Sequence, residues 1–549
     1  MMRVEKLEGV ALSTSPAVLD FLRRTGPIRQ RLTYNPFDPS SFRARQRYLQ
    51  EHYRGDRRAL SAALIEYNRH IGAGPEALRN AERLAAPEAL AVVTGQQAGV
   101  AGGPLFTLYK AITAIQLARQ QSEALGVPVI PVFWVAGEDH DFAEIARVEF
   151  PGREGPVRLT LGGAPAGRVS VGHLPVGEAV AEFLAALEEA LPPTEFRAPL
   201  MEALREDAHR AGNLADWFAR LMARLFRESG LVLINPMWPG IRRLEAPFFQ
   251  EVLRRSREVD AALAAGIEAW QAAGYAPTLD YKAGDVNLFH YVDGQRMPLA
   301  GDGEAVWVRD HPELRWPLQD RIDLAAAAPE QFSTNVVTRA VAQGWLLPDL
   351  ALVAGPGEIQ YWGQLPEVFR VFGMEPPVIY PRTSATLIEP PIARYMEKLS
   401  LSPAEVFQGD LAERRHRLLE EVDTIGLDEL FDRFQAEVEE RHRRLLETIQ
   451  HLDPDLVQVG QENRRQILRQ IQILREKAWQ AHRQRHQVMI RQLDRTAQCL
   501  LPGGELQERV HTVIYYLAKY GPDLPERLVR ALPLPAEAGA TSHLLVYLG

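Results

Sequence analysis

"VVTGQQAGVAGGPLFTLYK", Val92 to Lys110, is the stretch on which the fold turns. It opens as a short β-branched apolar run, passes through small residues, and from Leu105 takes up an apolar periodicity that continues to Ala118. A buried strand, a glycine turn and a helix, in that order, make the opening unit of a parallel α/β sheet. Such a turn gathers unsatisfied backbone N–H groups and the positive end of a helix dipole at one point, where anions bind. Gly102 and Gly103 let the backbone turn and approach a ligand, and Pro104 suits the first helical position. Phe106, Tyr109 and Lys110, at i, i+3 and i+4, share a helix face, which brings Lys110 within reach of a phosphate at the helix start. The pattern is neither a P-loop nor a Gly-x-Gly-x-x-Gly turn. Spacing alone also allows a tight connection whose glycines serve only packing.

Outward from this unit the same grammar repeats. The strands expected are "LAVVTGQ", "VPVIPVFWVAG", "GLVLINP", "LALVAGP" and "PPVIYP", each meeting Gly, Pro or Asn at its carboxyl end. "PVRLTLGG" and "NLFHYVDGQRMPLA" alternate with a period of two and turn at Gly, so they are expected as hairpins inserted into the main sheet. The domains expected are a helical segment over 1–88 and an α/β core over 89–390 with inserts near 151–230 and 275–345. A charged helical region over 391–500 and a return to the core over 501–549 follow. In the helical region, Phe431, Phe434, Val438, Leu445 and Leu452, then Ile467, Ile471, Leu474, Ala478, Ala481, Val488 and Gln492, follow heptad spacing around a break at Pro454 and Gly460. That predicts an antiparallel coiled-coil hairpin with arms of roughly 50 to 60 Å.

The 549 residues are too many for one core. With 71 acidic against 62 basic residues, the formal charge of −9 offers no global case for nucleic acid or an anionic membrane. A single cysteine, Cys499, excludes an internal disulfide framework and fits a reducing, cytoplasmic setting. The opening residues lack a signal-peptide core, and no stretch is long and apolar enough to span a bilayer.

Chemistry-bearing residues collect at the expected strand ends, where open α/β sheets hold ligands. "FWVAGEDHDFAEI" gathers Glu138, Asp139, His140 and Asp141. Asp141 and Glu144 are spaced as a helix cap, whereas Glu138, Asp139 and His140 exceed what capping requires, and His140 is a candidate general base. A metal site is the weaker option there, with one local histidine and no cysteine. "LVAGPGEIQYWGQ" places Gly355, Gly357 and Glu358 at a strand end, with Glu358 suited to ribose hydroxyls. "VIYPRTSATLIEP" adds Arg382, Thr383, Ser384 and Thr386, and "FSTNVVTRAVAQ" offers Ser333, Asn335 and Arg339, the last a bidentate partner for a carboxylate.

The segments "TGQQAGVAGGPLFTLYKAITAIQLA", "PVFWVAGEDHDFAEI", "GPGEIQYWGQLPEVF" and the late "LQER", Leu506 to Arg509, resemble, in order over most of the chain, the cysteine-adding enzymes of bacillithiol biosynthesis. The resemblance implies a Rossmann-type core with connecting inserts, a helical coiled-coil arm and a homodimer formed through that arm. It implies a ligase that joins the carboxyl of L-cysteine to the amine of glucosaminyl-malate. That core is in turn similar to the class I aminoacyl-tRNA synthetases. On this likeness "GGPLFTLYK" takes the place of their His-x-Gly-His helix start, "GPGEIQ" that of their ribose loop and "PRTSAT" that of their Lys-Met-Ser-Lys-Ser loop. Phe106 and Tyr109 stand in place of both histidines, Arg382 is the only cation of the last loop, and Asn235 stands where the family has an aspartate.

The site so implied has Lys110, Glu138, Asp139 and His140 as catalytic groups. ATP or ADP, with Mg2+ possible, is expected at Thr94, Gly95, Gly102, Gly103, Gly355, Gly357, Glu358, Arg382 and Ser384. The substrates are expected at Gln96, Gln97, Asn335, Arg339, Gln360 and Tyr361.

Two other readings compete. From Gln461 to Arg495 nine basic residues face three acidic ones, a net of +6 and a candidate RNA-binding stripe. The preceding Asp410 to Gln450 carries twelve acidic and seven basic residues, a net of −5, so pairing of the two helices explains the same pattern without RNA. The other reading is an inactive nucleotide-binding dimer. Cys499 reads as a small buried residue, Trp134 and Trp362 as packing beside the sheet, and His290 as part of a hairpin surface.

Overall fold

A computed structural model describes residues 2–549 apart from 8, 9, 11, 12, 14, 154, 410, 422 and 424, with the backbone alone at 408, 411, 412 and 421. Asp410, where the acidic stretch begins, therefore lies outside the described residues. The chain divides into two compact units, Met1–Leu387 with Glu505–Gly549, and Ile388–Gly504.

All five apolar runs form one parallel sheet in the first unit. Its strands are β1 (Leu90–Gln96), β2 (Val129–Val135), β3 (Val232–Ile234), β4 (Asp349–Ala354) and β5 (Val378–Pro381), in the order β5-β4-β1-β2-β3. This is the Rossmann order, and the direction of winding reverses between β1 and β4. Every residue of β2 and β4 is buried, which accounts for their continuous rather than alternating apolar character. Helix α1 (Leu105–Leu125) packs against β1 and β2 and stops at Gly126, left-handed with φ +69°.

The two hairpins belong elsewhere. Pro156–Thr160 pairs only with Arg147–Pro151. Asp285–Val292 and Gln295–Gly301 lie in a separate five-stranded antiparallel sheet with Ala305–Val308, His311–Pro317 and Phe332–Thr334. Alternating strands have a polar face to solvate, and the fully buried central sheet has no place for one. His290 is buried in that second sheet, where its Nδ1 lies 2.9 Å from the Gln331 carbonyl, rather than at the hairpin surface. Nor is the first segment wholly helical: Arg3–Leu7 pairs with His543–Tyr547, which in turn joins Ala385–Ile388.

In the second unit, α2 (Leu427–Ile449) and α3 (Leu456–Arg485) form the antiparallel hairpin. At 1.5 Å per residue they span about 35 and 45 Å, shorter than the uninterrupted heptad pattern implies. Leu427, Phe431 and Ile471 are buried between them with Val438, Ile467, Ala478 and Trp479 beside them. Gly460 sits inside α3, where a Cβ would collide with Leu446, so glycine there lets the two helices approach. Arg475 pairs with Asp428 and, at 2.9 Å, with Asp432; Arg464 pairs with Glu439 at 3.3 Å. The opposite charges of the two helices thus meet within the hairpin. The seam is incomplete, for Phe434, Leu445, Leu452, Leu474 and Val488 are exposed.

Candidate active site

The carboxyl ends of β1 and β4 flank the reversal point, and Lys110 lies across both. Its Nζ donates to the Gly95 carbonyl at 2.8 Å and to Gln96 Oε1 at 3.1 Å, and lies 2.6 Å from Glu358 Oε2. Lys110 is 4% exposed. Burial pushes its ammonium below the ordinary lysine value, with Glu358 pulling the other way. Glu358 also accepts the Gly355 N–H at 2.8 Å, as the reciprocal half of a helix cap. The carboxylate expected for ribose is therefore shared between a lysine and the backbone.

Arg339 stacks near Trp134, 5.3 Å from the ring centroid. A side chain at Gly95 would put its Cβ 2.8 Å from the Arg339 guanidinium and 2.7 Å from the Trp134 carbonyl, so only glycine fits there. Among the described residues no carboxylate lies within ion-pair distance of Arg339. Tyr361 sits beside Arg339 and Glu358, and burial pushes its phenol up to about 12. Thr94 is buried and donates to the Val353 carbonyl at 3.0 Å, tying β1 to β4. Gly357 faces open space, and Gln360 accepts from Ser15 at 2.8 Å.

The start of α1 is not open to an anion. Leu105 N–H donates to the His511 carbonyl at 2.9 Å, and Thr512 Oγ1 donates to the Ala101 carbonyl at 3.0 Å. Gly102 and Gly103, at φ +83° and +68°, turn the chain tightly against Val513 and Thr107 and are buried. Lys110 accordingly runs to the strand ends rather than back to the helix start. Arg382 and Ser384 are held by Glu508, at 2.6 and 2.9 Å, and Ala385 N–H reaches the same carboxylate at 3.0 Å. The Arg382 Nε still borders the cleft, 3.6 Å from where a Cβ on Gly355 would stand, with Lys110 Cε at 3.8 Å.

The acidic motif after β2 divides by depth. Glu138 is buried, lies 2.5 Å from Arg242 and accepts from Thr334 Oγ1 at 2.7 Å. Arg242 also pairs with the fully buried Glu245, which burial and Glu138 push up to about 8. Asp141 caps Glu144 N–H at 3.1 Å, as its spacing predicts. Asp139 accepts from Gln97 at 3.3 Å, and Gln97 also donates to Glu144 at 3.1 Å. Gln96 donates to Gln97 at 2.5 Å. One path of hydrogen bonds therefore runs from Glu358 through Lys110, Gln96 and Gln97 to Asp139 and Glu144, joining the ends of β4, β1 and β2.

His140 extends this path to the second sheet. Its Nδ1 lies 3.0 Å from Arg296 Nη1, and burial and Arg296 hold its pKa below the ordinary histidine value. His140 and Asn335 line a cavity of about 240 Å³ together with Arg168, Lys282, Arg309 and Asp310. Asn335 caps the helix Val336–Leu346 and donates to Asn287 Oδ1 at 2.9 Å. Lys110 and Glu358 do not line that cavity. The site is a pair of places: three cations with the carboxylates Glu358 and Glu508 at the strand reversal, and a mixed-charge cavity beside His140.

Sequence reasoning missed Arg296, Thr334, Arg242, Glu245 and Glu508. Arg242 with Glu245, a charged i,i+3 pair on a helix with a buried face, carried a local signal, and Glu508 stands in the "LQER" segment of the family resemblance without a role assigned from sequence. Among the described residues, no three His, Cys, Asp or Glu side chains gather as a metal site, and no helix is long and apolar enough to cross a membrane.

Residues 2–383 match the family model described as the N-terminal Rossmann-like domain of bacillithiol biosynthesis BshC, and residues 385–544 match its C-terminal coiled-coil domain. A protein of Symbiobacterium thermophilum named "Putative cysteine ligase BshC" is 46% identical over the whole of both chains. Proteins of the same name from Desulforamulus reducens and Geobacillus thermodenitrificans are 35% and 34% identical, covering 97% and 98% of this chain and 98% of each relative.

Proposed function

The chain belongs to the bacillithiol biosynthesis BshC family, and on that premise we propose that it is a cysteine ligase joining the carboxyl of L-cysteine to the amine of glucosaminyl-malate. The observation that supports the reading is the polar path from Glu358 to Asp139, whose carboxylate also accepts the His140 backbone N–H at 2.7 Å, along which two reactants would take adjoining places. A buried lysine, an arginine stacked on Trp134 and an arginine bordering Gly355 bring three cations to the strand reversal, a donor set that fits a polyphosphate in charge. Bound ATP would supply the leaving group for the cysteine carboxyl, with Mg2+ arriving on the phosphates. Lys110, Arg339 and Arg382 would hold that charge, with Gly95 and Gly355 allowing close approach. The closed start of α1 takes no part.

The sugar amine enters on the His140 side. Arg168, Lys282 and Arg309 in the cavity wall, paired with Asp310, Asp280 and Asp285, would exchange these partners for the malate carboxylates, and Asp139 and Glu144 on the adjoining segment suit an amine. Amide formation makes a C–N bond, releases the activating group with its bonding electron pair, and passes one amine proton to a neighbouring base. The exposed apolar side chains Phe434, Leu445 and Leu474 on the helical hairpin support a homodimer formed through that arm, and the internal charge pairing speaks against the RNA reading. The test is purified full-length protein with cysteine, glucosaminyl-malate and ATP, followed by mass spectrometry. The conjugate and a nucleotide product are expected; their absence with folded protein and all three reactants present would overturn the proposal.

A further inference from the structure

His140 is the residue whose role the geometry most constrains. A guanidinium is a donor only, so the 3.0 Å contact from Arg296 Nη1 requires an unprotonated Nδ1 on His140. Arg296 has no freedom to move off. Its Nε donates to Ser333 Oγ at 2.9 Å, its Nη2 donates to the Thr334 carbonyl at 2.5 Å, and its carbon lies 3.8 Å from the Phe289 ring centroid. It is 6% exposed. A neutral imidazole with Nδ1 occupied as acceptor carries its proton on Nε2 and has no lone pair left to take another.

We infer that Arg296 is a positioning residue that locks His140 as the neutral Nε2–H tautomer, making His140 a hydrogen-bond donor to substrate oxygen rather than the proton acceptor. In the reading above, which this inference deepens, the Nε2–H serves the acyl oxygen that gains charge as the amine attacks. The amine proton then goes to a carboxylate. Asp139 and Glu144, both accepting from Gln97, are the carboxylates on the polar path that would take it. The groups around the ring divide, with Asp139 Oδ1 3.9 Å from the same Nδ1 that Arg296 approaches to 3.0 Å. Asp139 and Asp141 lie on its own segment; Arg296 and Phe289 come from the second sheet; Arg168, Lys282, Arg309, Asp280, Asp285 and Asp310 come from the cavity wall. Burial, Arg296 and Arg168 act against a charged ring, Asp139 and Asp141 act for it, and the first group prevails.

The full-length protein labelled with 15N-histidine tests the tautomer without any substrate, so the answer does not depend on the reaction being the one proposed. The His140 signal, assigned by its loss in His140→Gln, is expected as neutral Nε2–H at neutral pH, protonating only at a lower pH than an ordinary histidine. A signal for Nδ1–H, or for imidazolium at pH 6.5, overturns the inference. A second arm uses the ligase assay. Glutamine can accept from Arg296 and donate from its amide, so His140→Gln is expected to keep turnover at least ten-fold above His140→Ala; equal loss in the two variants overturns the donor role. Arg296→Lys is expected to retain the tautomer and Arg296→Gln to release it, raising the pH at which His140 protonates. Identical titration in both variants and the parent removes Arg296 from the role.

Discussion

Lys110–Glu358 and Arg382–Glu508 are the same kind of pair, a buried cation on a carboxylate at the carboxyl ends of adjacent strands, yet they differ in what surrounds the acid. Glu358 keeps 16% of its side chain exposed and shares its cation with the cleft, whereas Glu508 is 1% exposed and accepts from Arg382, Ser384 and Ala385. The first pair can exchange partners with an incoming anion, whereas in the second Glu508 is fully committed to the scaffold and only the Arg382 Nε is left on the Gly355 side. Charge alone does not distinguish a site from a strut; the spare exposure of the acid does.

The comparison breaks most clearly from the closed side. Glu508→Ala leaves Arg382 buried without its carboxylate and is expected to destabilise the protein by about 3–5 kcal/mol, read as a fall in denaturation midpoint. Lys110→Ala is expected to lower turnover by about 10²–10³-fold, while its melting temperature falls less than that of Glu508→Ala. Similar melting losses in both variants would erase the distinction. His543 sharpens it. This buried ring lies 2.9 Å from Ser384 Oγ and 2.8 Å from Thr386 Oγ1, and burial lowers its pKa from 6.5 to about 4. Below pH 6.5 the unfolded chain takes up a proton that the native chain refuses until about pH 4, so stability falls as pH falls through that window. The loss is on the order of 3 kcal/mol, and His543→Gln should flatten that part of a stability–pH curve. The smallest effect lies outside both pairs. Arg475→Ala removes contacts that water screens and should cost at most about 1 kcal/mol in chemical denaturation.

The five strands were legible because each is an apolar run too continuous for a half-exposed strand and too short for a helix. Part of the rim was legible too, since Glu358, Asp139 and His140 follow strand ends and Lys110 reaches those ends from the helix after β1. What could not be read were partners from far along the chain. Nothing near Gly102 announces that His511 will close the helix start, and nothing near His140 announces Arg296, 156 residues away. Glu358 and Arg382 could be placed after strand ends from the sequence, but their engagement with Lys110 and Glu508 follows from tertiary packing. The heptad pattern likewise predicted the hairpin but not which seam residues it would leave exposed.

The contact between Leu105 and His511, with Glu508 on Arg382 and His543–Tyr547 paired to Arg3–Leu7, orders events during synthesis. The ribosome must translate Ile388–Gly504 before the pieces that finish the catalytic unit emerge, so the nascent α/β layer waits with its first helix uncovered. At 5–20 residues per second that interval lasts on the order of ten seconds. A chain released early would lack both the strand that pairs with Arg3–Leu7 and the carboxylate that holds Arg382.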